Sequence, residues 1–315
     1  MKAQFFKISV LAAWMAIFAV SAVSQELVKE SQASFPPGTI RVEYSRLAKL
    51  RTLPNYDSLR QRYVGPRLRA LEESFAQLGV RESDVNEVML GWRPGSSTME
   101  LDGIVTGQFN AKSIADRAAA VGTAATEIGG LPAYCLGASG ATTCLVVLRD
   151  SMGLFGTQEG LNSMLDAREG RTPSLSTNAR FTKLMEEAPT EAPIWGVAVG
   201  DAVGDWFRAW LPAQGGLQMD WSKAFQSVES LIYSVDAADN VQLNVKMDCT
   251  NDQSAESTRQ VFEGLRMFQS MAWQNTNPGK PNPFQGVEIS RDSRRVSLKM
   301  ASSYADLQSF NPTGG

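Results

Sequence analysis

"VQLNVKMDC", residues 241–249, is the stretch whose reading decides the fold. Val241, Leu243, Val245, Met247 and Cys249 share one parity, and Gln242, Asn244, Lys246 and Asp248 the other. Successive side chains of a β-strand point to opposite faces, so this is a strand with one apolar and one wet face. Clean alternation of this kind favours antiparallel pairing, because parallel sheets bury both faces. "MELDGIVTGQF", 99–109, has the same character. Met99, Leu101, Val105 and Phe109 lie on one side, and Glu100, Asp102 and Gln108 on the other.

Working outward, each half of the chain runs strand, helix, strand, strand, helix, strand, strand, helix. The first half opens with "PPGTIRVEYSRLAKL", where Ile40, Val42 and Tyr44 alternate and Ser45 is placed to cap a turn. The second opens with "APIWGVAVGDAVGDWFRAWLP", where Trp195, Val197 and Val199 alternate and Asp201 takes the cap position. Val203, Trp206, Phe207, Trp210 and Leu211 then form one helical face that Pro212 ends. The next helices carry Leu68, Leu71, Phe75 and Leu78, closed by Gly79, and Trp221, Ala224, Phe225 and Val228, started by Asp220. Later helices carry Ile114, Ala118 and Val121, between Asn110 and Gly122, and Val261, Phe262, Leu265, Phe268 and Ala272.

Hairpins follow in "YCLGASGATTCLVVL" and "GVEISRDSRRVSLKM". The first half adds "MGLFGT" and a helix with Leu161, Met164 and Leu165; the second ends in "YADLQSF". The expected class is α+β: two tandem β-α-β-β-α-β-β-α-like repeats, mostly antiparallel, with helices on one sheet face. The polar segment 168–180 separates a first repeat, 25–175, from a second, 176–315. "NTNPGKPNPFQG", 275–286, reads as an exposed loop.

Residues 1–24 read as a signal peptide. Lys2 and Lys7 precede an apolar run from Ile8 to Val20, and Ala22-Val23-Ser24 offers a cleavage site before Gln25. The run is short of the roughly 20 residues a spanning helix needs. Retention as an anchor is the alternative. Losing two lysines takes the formal charge from −3 to −5. An acidic chain without basic runs argues against nucleic acid as a partner. No transmembrane segment is expected after cleavage, and export to the periplasm or beyond follows.

Of three cysteines, Cys135 and Cys144 bracket a Gly/Ala/Ser/Thr segment. With Ser139-Gly140 as a two-residue turn, Cys135 faces Cys144 at a non-hydrogen-bonded pair, close enough for a disulfide. Its small ring limits the stabilisation to roughly 2.7 kcal/mol. Two reduced thiols are the alternative. Cys249 reads as a buried free thiol on its strand's apolar face, with an intermolecular bridge as the other reading.

The chain contains no histidine. That removes Ser-His-Asp and Cys-His catalysis and imidazole metal sites. "GASGA", 137–141, lacks both the strand-to-helix setting and the base of a nucleophile elbow. No phosphate loop or dinucleotide fingerprint follows a strand, and no cofactor is expected. Glu100 and Asp102, on one strand face, could act as a glycosidase pair, although paired charges on a wet face are ordinary. Trp195, Trp206, Trp210 and Trp221 could line a ligand or partner surface; Trp206 and Trp210 lie on a helix's apolar stripe, which favours core packing.

"GGLPAYCLG" (129–137), "DSMGLFGTQEGLNSMLDAREG" (150–170) and "APIWGVAVG" (192–200), with the signal segment, carry a resemblance. The chain resembles secreted bacterial proteins built from two divergent α+β repeats, a family without an established activity. The resemblance implies the repeat layout and no functional residues. The leading expectation is a non-catalytic binding protein of the cell envelope, with a protein or envelope component as partner. The second is a histidine-independent carboxylate hydrolase.

Overall fold

The computed structural model describes residues 25–64, 66–95, 99–137, 142–210, 220–279 and 282–309. The signal segment 1–24 and the Ser139-Gly140 turn lie outside the described residues.

Among the described residues, twelve strands form one antiparallel sheet. They are β1 (Arg41–Ser45), β2 (Val85–Pro94), β3 (Met99–Gly107), β4 (Ala125–Ile128), β5 (Leu131–Leu136), β6 (Thr143–Arg149), β7 (Met152–Gly156), β8 (Ile194–Val199), β9 (Val228–Ala237), β10 (Val241–Cys249), β11 (Glu288–Asp292) and β12 (Arg295–Ser302). Their order is β11-β12-β10-β9-β8-β1-β2-β3-β7-β6-β5-β4. The first strands of the two halves, β1 and β8, therefore pair at the middle, with Glu43 opposite Gly196. We call this junction the seam. β10, the strand whose alternation decided the class, buries Val245, Met247 and Cys249 and exposes Gln242 and Lys246.

The α+β class and the antiparallel sheet hold, but helices cover both faces where one was expected. Ile232 and Tyr233 are neighbours on β9 and so point to opposite faces, and each belongs to a different buried cluster. On one face Tyr44, Met89, Ile104, Leu154, Trp195 and Val197 pack with Leu161 and Met164 of the helix Gln158–Arg168 and Phe181 of the helix Ala179–Glu187. The other face carries two clusters. One joins Leu90, Val105, Leu145 and Phe155 to Leu71 and Phe75 of the helix Pro66–Gln77 and Ile114 of the helix Ala111–Ala120. The second joins Ala198, Leu231, Tyr233 and Met247 to Val203, Trp206 and Phe207 of the helix Asp201–Trp210 and Phe262 of the helix Asp252–Thr276.

Several local expectations shift. Arg46, not Ser45, stands at the N-cap of the helix Leu47–Leu50. The helix begun by Asp220 is a single turn, Trp221–Ala224, because the chain enters β9 at Val228. Phe225 and Val228 are still buried in the core. Val121 is the exposed C-cap of its helix and not part of the buried stripe. The 275–286 insertion is shorter than expected: the long helix runs to Thr276, and Pro283–Gly286 forms a 3-10 turn. A strand, β4, absent from the sequence reading, pairs with β5 at the sheet edge.

Candidate functional site

β1 reads R-V-E-Y-S. Its apolar parity, Val42 and Tyr44, enters the central core, and its polar parity, Arg41 and Glu43, faces the gap between the two clusters on the opposite side. Arg41 Nη2 donates to Glu43 Oε2 at 2.7 Å. Tyr233 Oη, 190 residues away, donates to the same Glu43 oxygen. Gly196 makes this possible, because a Cβ there would lie 2.5 Å from the Tyr233 ring. Arg41 sits opposite Trp92 on β2, and its guanidinium lies 4.2 Å above that ring.

Burial alone would lower the Arg41 pKa; the charge of Glu43, and then Tyr233, outweighs it and holds the guanidinium above its ordinary value. For Tyr233, burial raises the pKa well above the ordinary phenol range and Glu43 adds to it. The phenol therefore stays protonated and keeps donating.

A cleft of about 260 Å³ opens at the seam, lined by Arg41, Trp92, Met99, Ala202, Asp205 and Arg208. β1, β2 and β3 supply one wall, and the helix Asp201–Trp210 supplies the other. On that helix Arg208 Nη1 donates to Asp205 Oδ1 at 2.7 Å. Both of these side chains are exposed.

The opposite face of the seam has a second, buried Tyr–carboxylate–Arg set. Tyr44 Oη donates to Glu87 Oε1 at 2.6 Å, and Arg46 Nε donates to Tyr44 Oη at 3.0 Å. Trp195 stacks on Tyr44 with centroids 5.5 Å apart. Burial and the Glu87 carboxylate push the Tyr44 pKa up. All three residues are buried, and the set joins β1 to β2 with Trp195 of β8 stacked against it.

The residues singled out from the sequence fall elsewhere. Trp195 is fully buried and Trp206 is 2 % exposed, so both are core side chains and neither forms a surface. The side chains of Trp210 and Trp221 lie outside the described residues. Asp102 is not on a wet face. It is 2 % exposed, and Gly156 and Gly160 leave the room for it: a Cβ at either would come within 2.4 Å of its Oδ1. Arg93 lies between the two carboxylates, 2.5 Å from Glu100 Oε2 and 3.2 Å from Asp102 Oδ2.

Cys135 and Cys144 face each other across β5 and β6, as the turn register required, and are joined in a disulfide. Cys249 is a buried free thiol whose pKa burial raises. Sequence reasoning missed Arg41, Glu43 and Tyr233. The available signal was two charges alternating with core residues in a strand that opens a half.

Neither a family model nor a curated protein matches the sequence. Solved structures do share the fold. Crystal form I of TP0453 superposes with a TM-score of 0.53 at 13 % identity, over 89 % of this chain and 95 % of that one. Crystal form III gives 0.52 at 12 % identity, over 89 % and 96 %. At that identity the likeness concerns the fold alone. No described helix is long and apolar enough to cross a membrane.

Proposed function

We propose that the protein is an exported, non-catalytic binding protein of the cell envelope, which seats part of a protein or envelope component in the seam cleft. The cleft is the observation that carries this reading. Sites of this kind combine apolar walls with a few fixed polar groups. Here Trp92, Met99 and Ala202 supply the apolar wall, and Arg41 is fixed by Glu43 and Trp92. The Cys135–Cys144 disulfide supports export, since such bonds persist in oxidising compartments. The carboxylate-hydrolase reading is weaker because Arg93 pairs with both Glu100 and Asp102, so the two acids are held by a cation where catalysis would need them to act on substrate.

The test uses purified protein and panels of esters, peptides, phosphates and glycosides. No turnover should survive repurification. On addition of an envelope fraction, amide exchange should slow in Arg41–Ser45 and Asp201–Trp210. Turnover that persists, and disappears in a folded Glu100→Gln, Asp102→Asn variant, overturns the reading.

A further inference from the structure

We propose that Met267 and Met271, on the helix Asp252–Thr276, are a paired sulfoxidation site that takes oxygen reversibly from peroxides while the core stays reduced. The inference stands apart from the seam cleft and from what the cleft binds.

The helix is anchored by its first half, where Ala255, Thr258 and Phe262 are buried. Beyond them Met267 is 66 % exposed and Met271 54 %. With Val121 they are the exposed large hydrophobic side chains among the described residues. Their spacing, i and i+4, places both thioethers on one helix face. A helical side chain leans over the turn that precedes it. One turn before Met267 stands Gly264, and apart from the helix's own backbone no atom lies within 4 Å of where its Cβ would be. The space beside the Met267 side chain is therefore open to a small oxidant.

The other sulfur atoms are less accessible. Met89, Met152, Met164 and Met247 are wholly buried, and Met185 nearly so. Met99 and Met300 are half-buried, and Met219 lies outside the described residues. Cys135 and Cys144 are already bonded to each other. Cys249 is buried, and burial raises its pKa, so it offers little of the thiolate that oxidants attack. A thioether has no proton to lose, and its sulfur lone pair is ready at neutral pH.

In the step, that lone pair attacks one oxygen of hydrogen peroxide and the O–O bond breaks. Sulfur gains the oxygen and loses two electrons. The proton on the transferred oxygen passes to the leaving hydroxide, which departs as water. A methionine sulfoxide reductase reverses the change: a dithiol supplies two electrons and two protons, and the oxygen leaves as water. The sulfoxide is polar, and at these two positions it meets solvent, so the fold survives. The same change at Met247, which shares a buried cluster with Phe262, would put a polar group among apolar ones.

Peptide mapping of the processed full chain, at intervals after adding excess hydrogen peroxide, tests this. Met267 and Met271 should oxidise at least about tenfold faster than Met89, Met152, Met164 and Met247. Protein carrying both sulfoxides should melt within about 2 °C of the untreated chain. Methionine sulfoxide reductases A and B with a dithiol should return both residues to thioethers. Met267→Leu with Met271→Leu, a near volume-conserving change at exposed positions, should fold normally and lower the fast oxygen uptake by two atoms. Core methionines or Cys249 that keep pace with the pair overturn the inference. So does undiminished uptake in the variant, a melting point that collapses with the first two oxygen atoms, or a pair of sulfoxides that resists the reductases.

Discussion

Gly196→Ala probes the arrangement that holds the seam together. Gly196 lies between Glu43 on β1 and Tyr233 on β9. A Cβ there would stand 2.5 Å from Cε1, 2.6 Å from Cζ and 2.6 Å from Oη of Tyr233. Real contacts are almost never that short, and the ring has little room to yield: Tyr233 is 1 % exposed and packs on Trp206 with centroids 4.8 Å apart. Overpacking of this kind costs about 1–3 kcal/mol. If the ring moves, its hydrogen bond to the ionised Glu43 is lost as well, roughly another 1.5–3 kcal/mol. We expect a total near 3 kcal/mol, a melting shift of roughly 5 °C in a chain of this size.

The assay is urea unfolding at neutral pH, in a double-mutant cycle with Tyr233→Leu, which removes the three clashing atoms. In that background Gly196→Ala should cost under about 1 kcal/mol, giving a coupling of at least about 1.5 kcal/mol. An equal cost in both backgrounds would show that the glycine is not there to admit the ring, and would remove the basis for a fixed Arg41.

Three further outcomes are expected. Non-reducing peptide mapping should find Cys135 joined to Cys144 and Cys249 free; replacing both bridged cysteines with serine should cost about 2.7 kcal/mol or less by thermal unfolding, and full labelling of all three in oxidised protein would refute the bridge. Asp248 loses stability to burial but gains more from Arg295, so its pKa is lowered. A carboxylate that binds protons less well folded than unfolded stabilises above its unfolded pKa, about 3.9, and that contribution is lost as pH falls through the lower folded value. Unfolding midpoints should therefore drop below about pH 4, less steeply in Asp248→Asn; identical slopes would refute the pairing. Mass analysis of the exported protein should find Gln25 as the first residue, and an intact Met1 in the membrane fraction would refute cleavage.

What was legible in the sequence was local. The alternation in β10, the stripe Leu68–Leu71–Phe75 and the Asn110 cap depend on neighbours within one turn or one strand. Asn110 Oδ1 does accept from Ser113 N at 2.8 Å. The facing of Cys135 and Cys144 needed only a turn length. What was hidden depends on residues far apart in the chain. Asp102 is buried because glycines stand at 156 and 160, in a strand and helix more than fifty residues on. Trp195 is buried because it meets Tyr44 from the other half. Period-2 alternation also says nothing of a second helical layer, since a polar parity can be covered when its charges are paired, as Arg93 pairs Asp102.

We propose that 25–175 and 176–315 are two copies of one unit, and the strand order supports this. Outward from the seam the first half runs β1, β2, β3, β7, β6 and the second runs β8, β9, β10, β12, β11; the hairpin of β4 and β5 is extra to the first. Where the two halves join through their first strands, Glu43 stands directly opposite position 196. A carboxylate at 196 would place like charges directly opposite each other, which is destabilising. Glycine on β8 avoids this and opens the space that Tyr233 fills. The cleft at this junction belongs to neither half alone. Arg41, Trp92 and Met99 come from the first, and Ala202, Asp205 and Arg208 from the second. The cleft therefore requires both units, and its chemistry could not have been read from either one.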